Sequence, residues 1–452
     1  MGRLLYAALA AIVVAAVAVA AFFLAGRGGG EAAGGAAAAT GGGGLEACGD
    51  GPAVLIVYAP GQEQLAQTIG KLLERQFEQA LPNASFCYVE ARRLGLEGLR
   101  VLPEILVRGN VSDPGLRRVL LNETLLEGFR PVAYDVAAMF AAQVGMQFGL
   151  GGPRYSVEAR LVVVQGHTPV TRANVSRIEG DERMLSIFSA VFAANITGVE
   201  EAEPGELGPG VLGALERLPN IAARSSVDLA EGTVNIFAAG DGLYAIRGGA
   251  SGFLVNTGAA EAWEKQGAPP ELPGLEGYPS IGSGPVHIVV AEDLGCPYCA
   301  RFYNETMPFL ERLAEEGRVT IHLVDLVIHR DLLGVHALLH CLYNETRNST
   351  LYLELVKEAY QALLRAQSEG NITLFQKALQ AIEARANETL GDTDCVREAQ
   401  QAVLNMTHTL LNMGLSGTPS FIAWRDGGSY TVYAVGYRDR GFFEKLIAGL
   451  EG

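Results

Sequence analysis

Cys296 and Cys299 stand two residues apart in the stretch Ala291–Thr306, which reads AEDLGCPYCARFYNET. Two thiols at that spacing can form and release a disulfide, supply half of a metal site, or make an inert structural bridge. A thiolate is the attacking species in disulfide exchange, so the chemistry depends on how far a cysteine's pKa is lowered. A structural zinc site needs four ligands, commonly two such pairs or one pair with spaced histidines. The chain has 6 cysteines and no second Cys-X-X-Cys. His336 and His340 lie four residues apart beside Cys341, which puts the two rings on one helix face. Such histidines more often pack or face solvent than bind metal. Redox chemistry is the favoured reading, and no metal or cofactor is expected.

The elements that must position these thiols can be read around them. VHIVVAE (Val286–Glu292) is a strand ending in a loop. Pro297 follows Cys296 and suits the first position of a helix, where a missing N–H costs nothing. The helix continues through Phe302, Phe309, Leu310 and Leu313 on one apolar face, with a kink expected at Pro308. VTIHLVDLVIH (Val319–His329) is a second strand. About 80 mostly helical residues follow, roughly 331–413. The chain returns with GLSGTPSFIAW, a turn at Asp426-Gly427-Gly428, the strand SYTVYAVG and a last helix. The order is β-α-β, a helical insertion, then β-β-α.

That arrangement resembles the DsbA-like branch of the thioredoxin superfamily, over about 170 residues at the C-terminus. CPYC opens the first helix, a helical block interrupts the core, and Ser416-Gly417-Thr418-Pro419-Ser420 precedes the third strand. The resemblance implies a thiol:disulfide oxidoreductase in which Cys296 attacks, Cys299 resolves the mixed disulfide, and a cis Thr418–Pro419 bond faces them. A helix N-terminus lowers the pKa of the outer cysteine through its free N–H groups. The main chain at Thr418 is then expected to pair with an extended substrate. Many relatives carry a buried Glu six residues before the first cysteine; here that residue is Val290. Asp293, which fits a common family pattern, and Glu292 are the candidates to handle the proton of Cys299, or both are loop acids near a helix start. Relatives often carry a second bridge in the insertion, which implies that Cys341 pairs with Cys395. Cys48 and Cys87 remain and are expected to pair, unless Cys48 is free or linked to another chain.

Upstream, residues 45–275 read as an α/β region. AVLIVYA, a helix from Gly61 to Leu81, SFCYVEA and VLPEILVRG give strand, helix, strand, then Pro-strand, the order of a thioredoxin-like core. Pro60-Gly61-Gln62-Glu63 stands where a CxxC belongs, so this region is either a redox-silent thioredoxin-like domain or another α/β domain. Asp241-Gly242 marks a hairpin. A Gly/Pro-rich stretch, Gly267–Pro285, separates it from a C-terminal domain at 276–452.

Compartment is read from two other features. Leu4–Gly26 carries no charge, and its 23 residues span about 34 Å as a helix, enough to cross a bilayer core of about 30 Å. Residues 1–26 are expected to be an uncleaved anchor, with a cleaved signal peptide as the alternative, and 27–44 a Gly/Ala-rich tether. Of 15 asparagines, 11 open an Asn-X-Ser/Thr triplet: Asn83, Asn110, Asn122, Asn174, Asn195, Asn304, Asn344, Asn348, Asn371, Asn387 and Asn405. Residue frequencies predict roughly one by chance, so the set points to N-glycosylation outside the membrane. The formal charge of −16 argues against nucleic acid as a partner. The sequence thus reads as a membrane-tethered extracytoplasmic oxidoreductase that forms disulfides in reduced secreted proteins. A membrane re-oxidase of the DsbB or vitamin K epoxide reductase type is the expected partner. A disulfide isomerase or reductase, or a surface chaperone with secondary redox activity, are the alternatives.

Overall fold

The computed structural model describes residues 45–391 and 394–452. The expected anchor (1–26) and tether (27–44) lie outside the described residues. Among the described residues, no helix is long and apolar enough to cross a membrane. The chain forms two compact units: one runs up to Gln165 and resumes at Ala173–Ala260, the other joins Gly166–Arg172 to Glu261–Gly452.

The first unit opens with β1 (Ala53–Tyr58), α1 (Glu63–Ala80) and β2 (Ser85–Glu90), followed by β3 (Val101–Leu102), β4 (Glu104–Arg108) and β5 (Arg130–Pro131). The central strands are almost wholly apolar and buried, as strands covered on both faces must be. β1 runs parallel to β2 and antiparallel to β4, giving the order β2-β1-β4-β5. The Leu102–Pro103 peptide entering β4 is cis. The Cys48–Cys87 disulfide ties the turn Leu45–Cys48 to β2.

After α2 (Tyr134–Phe148) and β6 (Arg154–Tyr155) the same pattern returns in β7 (Glu158–Val164), α3 (Glu182–Phe192), β8 (Asn195–Ala202), α4 (Pro209–Leu215), β9 (Asn220–Arg224), β10 (Ile236–Gly240) and β11 (Leu243–Ile246), followed by α5 (Ser251–Asn256). β7 runs parallel to β8 and antiparallel to β9, in the order β10-β11-β9-β7-β8, and Leu218–Pro219 before β9 is cis. Asp241 and Gly242 both have positive φ, as a tight primed hairpin turn requires. Glu182–Phe192 is shorter than its apolar run suggests: Ala193 turns left-handed at φ 48° and the chain enters β8 at Asn195. One buried side chain ties the two sheets together. The Arg100 guanidinium donates to the carbonyls of Ala193, Glu231, Phe192 and Leu229 at 3.0, 2.9, 2.7 and 3.1 Å.

The second unit begins ahead of the Gly/Pro-rich stretch rather than after it. β12 (Trp263–Gln266) pairs with the C-terminal sheet, and the buried Glu264 carboxylate accepts the His167 N–H and the Thr171 hydroxyl, which brings Gly166–Arg172 along. The remaining elements are β13 (Ser280–Gly282), β14 (Val286–Glu292), α6 (Pro297–Glu305), α7 (Met307–Glu315), β15 (Val319–Asp325), α8 (Leu333–Thr346), α9 (Ser349–Ser368), α10 (Ile372–Leu390), α11 (Val396–Asn412), β16 (Ser420–Arg425), β17 (Tyr430–Val435) and α12 (Arg440–Glu451). Within this unit the strand order is β13-β15-β14-β16-β17-β12, with β14 parallel to β15 and antiparallel to β16. Thr418–Pro419 before β16 is cis. The four insertion helices α8–α11 stand between β15 and β16, and the Cys341–Cys395 disulfide joins α8 to the start of α11. Phe302, Phe421 and Phe443 pack with ring centres 5.1–5.9 Å apart and fix α6 and α12 on the sheet. Pro308 does more than kink the first helix. Thr306, at φ −114°, ends one helix and caps the next, so α6 and α7 are separate helices.

Candidate functional site

Cys296 is the N-cap of α6, with extended backbone at φ −86° and ψ 117° and Pro297 at the first helical position. Its Sγ lies 3.2 Å from the Thr418 carbonyl, so the facing cis-proline loop and the helix start meet at this sulfur. Cys299, one turn into the helix, is fully buried. The two thiols are free in this structure.

Their environments push them in opposite directions. A hydrogen bond from the Cys299 thiol is the largest influence on Cys296; burial opposes it, and the Thr418 side chain and the N–H groups of Cys299 and Tyr298 add to it. Together they lower Cys296 from 9.0 to about 6. Burial pushes Cys299 well up, and the hydrogen bond and charge of Cys296 push the same way. The outer sulfur is thus held as the thiolate near neutral pH and the inner one as the thiol.

The two acids before Cys296 have different duties. The Asp293 carboxylate accepts the N–H of Gly295 at 2.8 Å, of Ile328 at 2.5 Å and of His329 at 2.7 Å, and contacts His329 Nδ1 at 3.0 Å. It knits the end of β14 to the chain leaving β15. Glu292 is 1% exposed and points inward, bonded by the Tyr360 hydroxyl at 3.3 Å. Burial raises Glu292 to about 8; the Tyr303 hydroxyl moderates that, the Asp325 charge adds to it, and His336 and Tyr360 moderate it further. Its charge is felt at Cys299, whose sulfur accepts the neighbouring Asp293 N–H. Val290 lies on the same face of β14 as Glu292, two residues earlier, and is buried in the apolar core.

Sequence reasoning missed Tyr303, Tyr360 and Asp325, which surround Glu292 and come from α6, α9 and the end of β15. A lone tyrosine in an amphipathic helix looks like any core aromatic, so the signal was weak. His336 and His340 turn to different partners: His336 contacts Asp325, whereas His340 packs against the Tyr278 ring at 4.4 Å. Tyr298, between the two cysteines, is 60% exposed, and Ile328, whose N–H donates to Asp293, is 44% exposed.

The first unit carries an informative counterpart. Gln62 is the N-cap of α1 and Leu65 lies three residues on, the places that Cys296 and Cys299 hold on α6. Gln62 Nε2 donates to the Leu102 carbonyl, just before Pro103, at 3.0 Å, as the Cys296 thiol does to Thr418. An amide thus fills the position that the Cys296 thiol holds in the second unit. The backbone edge beside it is also taken, because Leu102 pairs with Arg154 of β6.

Against known proteins, residues 280–426 match the family model described as Thioredoxin, which is less than half of the chain. No curated protein matches. Among solved structures, Wolbachia pipientis alpha-DsbA1 aligns at 18% identity over 40% of this chain and 92% of its own, with a TM-score of 0.31. The catalytic domain of Proteus mirabilis ScsC aligns at 17% over 39% and 90%, TM-score 0.29. Chlamydia trachomatis DsbA aligns at 19% over 38% and 91%, TM-score 0.30. With the strand order and the matched model in hand, the C-terminal region is a thioredoxin-fold region.

Proposed function

We propose that the protein is an extracytoplasmic, membrane-tethered thiol:disulfide oxidoreductase that forms disulfides in reduced secreted proteins through Cys296 and Cys299. The observation that carries the reading is the pairing of a thiolate-prone sulfur at a helix start with a buried thiol one turn in. A substrate thiolate attacks Cys296 Sγ of the oxidised pair, the Cys296–Cys299 bond breaks, and Cys299 leaves, taking a proton from Glu292. A second substrate thiolate then attacks the substrate sulfur of the mixed disulfide, and Cys296 leaves as a thiolate. The substrate has lost two electrons and the enzyme has gained them. A leaving group of low pKa leaves faster and favours release of the oxidised product. The low pKa also stabilises the reduced enzyme, which favours the oxidising direction. A membrane re-oxidase of the DsbB or vitamin K epoxide reductase type is the partner that restores the disulfide, and the sequons carry glycans on the outer surface. Exposed Tyr298 and Ile328 favour substrates with apolar residues beside the cysteine. Oxidised wild type mixed with a reduced dithiol peptide is expected to convert it one for one. Cys296→Ala is expected to convert none; equal conversion by both would falsify the reading.

A further inference from the structure

Three consecutive N–H groups join the end of β14 to α6, and each needs an acceptor once buried. Gly295 N–H donates to Asp293 Oδ1 at 2.8 Å, and Cys296 N–H to the Asp293 carbonyl at 2.9 Å. Leu294 N–H reaches outside the loop, to Nε2 of His336 on α8, at 3.2 Å. The other ring nitrogen, Nδ1, lies 2.6 Å from Asp325 Oδ1. A nitrogen that accepts an N–H carries no proton, so the ring is neutral with its proton on Nδ1, aimed at Asp325. His336 is 2% exposed, and both nitrogens are engaged. The loop has no slack on its other side: a Cβ on Gly295 would come within 2.8 Å of the His329 ring and 2.9 Å of Leu332.

We propose that His336 is a positioning residue of the redox centre, a neutral imidazole clamp through which the insertion holds the loop that presents Cys296. The proposal rests on the reading above and deepens it. By fixing Leu294, the clamp keeps Cys296 at the N-cap, where its sulfur meets Thr418 and the N–H groups of Tyr298 and Cys299. Without it the loop can retreat, those donors are lost to the thiolate, and the reactive sulfur becomes an ordinary thiol. The charged and titratable groups facing the ring are Asp325 from β15 and Asp293 and Glu292 from β14, with Asp293 Oδ1 4.0 Å from Nε2. Burial lowers the proton affinity of His336, but these carboxylates, Asp325 foremost, raise it more. Acidification therefore protonates Nε2, sets N–H against N–H at Leu294, and opens the clamp.

The test is the pH midpoint of iodoacetamide alkylation of Cys296 in the full reduced chain. His336→Ala is expected to raise the midpoint by about one pH unit, leaving about tenfold less thiolate below it. His336→Gln, which can both accept from Leu294 and donate to Asp325, is expected to restore part of the shift. An alanine variant with the wild-type midpoint overturns the proposal. If that variant does not fold, nitrogen-15 spectra of His336 in the wild type at pH 8 decide: the Nδ1–H tautomer supports the clamp, and the Nε2–H tautomer or an imidazolium overturns it. Neither readout needs turnover. A wild type that cannot oxidise a dithiol peptide defeats the proposed function, whereas active wild type with an unshifted variant defeats only the clamp.

Discussion

Cys296 and Cys299 share one helix and one chemistry, yet hydrogen bonding lowers one while burial raises the other. Because the Cys299 thiol is the largest influence on Cys296, Cys299→Ala is expected to move the Cys296 alkylation midpoint upward from about 6. A cysteine whose folded pKa lies below its unfolded one adds stability that is complete above the unfolded value and is lost as pH falls through the folded value. The reduced protein is therefore expected to gain thermal stability relative to the oxidised one as pH rises from about 6 to about 9. Glu292 works the other way. Its folded pKa of about 8 lies above the ordinary 4.5, so its contribution is complete below 4.5 and is lost as pH rises through about 8. Glu292→Gln, which keeps the shape and removes the charge, is expected to raise the melting temperature more at pH 8 than at pH 5; equal gains would contradict the buried acid. These acids were visible in the sequence as a pair, but their division of labour was not. Neighbours on a strand point to opposite faces, and only the fold shows that Asp293 meets the backbone of another segment while Glu292 meets α6 and α9.

At the scale of elements, capping and glycosylation signals coincide on the same side chains. Asn348 caps α9, its Oδ1 accepting the Leu351 N–H at 3.0 Å, and Asn371 and Asn174 cap helices in the same way. Each also opens an Asn-X-Ser/Thr triplet. The cap uses the side-chain oxygen and a glycan takes the nitrogen, so the two roles are compatible. Asn348→Ala is expected to cost about 1 kcal/mol in denaturant unfolding, and Asn348→Asp, an equally good cap, almost nothing, while both remove the acceptor. Equal destabilisation by both would contradict the cap. The C-terminal elements were legible because long apolar periods, Pro297 and the SGTPS turn mark them. Residues 130–275 were less so: Asp241-Gly242 marked the hairpin, but several strands there are short and the cue for a repeated pattern is only an X-Pro before a strand. Gln62 was legible as a missing cysteine, but its bond to the Leu102 carbonyl required the fold.

For the whole molecule, one strand pattern recurs three times, and among the described residues free cysteines occur in only one of the three. In the first the place of Cys296 holds Gln62, and β6 covers the adjoining edge. Ten of the 11 sequon asparagines are exposed and Asn344 is half-buried, spread over both units, so every one of them lies at or near the surface. The central claim is that Cys296 and Cys299 form a reversible redox couple with a stabilised thiolate. A Cys296 value of about 6 lies between the nucleophilic thiols of thioredoxin, about 7, and DsbA, about 3.5. Equilibration of the full chain with glutathione buffers, read by thiol labelling, is the most direct test. The account predicts a two-electron couple between about −270 and about −120 mV, abolished by Cys296→Ala; a bond that stays closed below about −300 mV, as structural disulfides do, would contradict it.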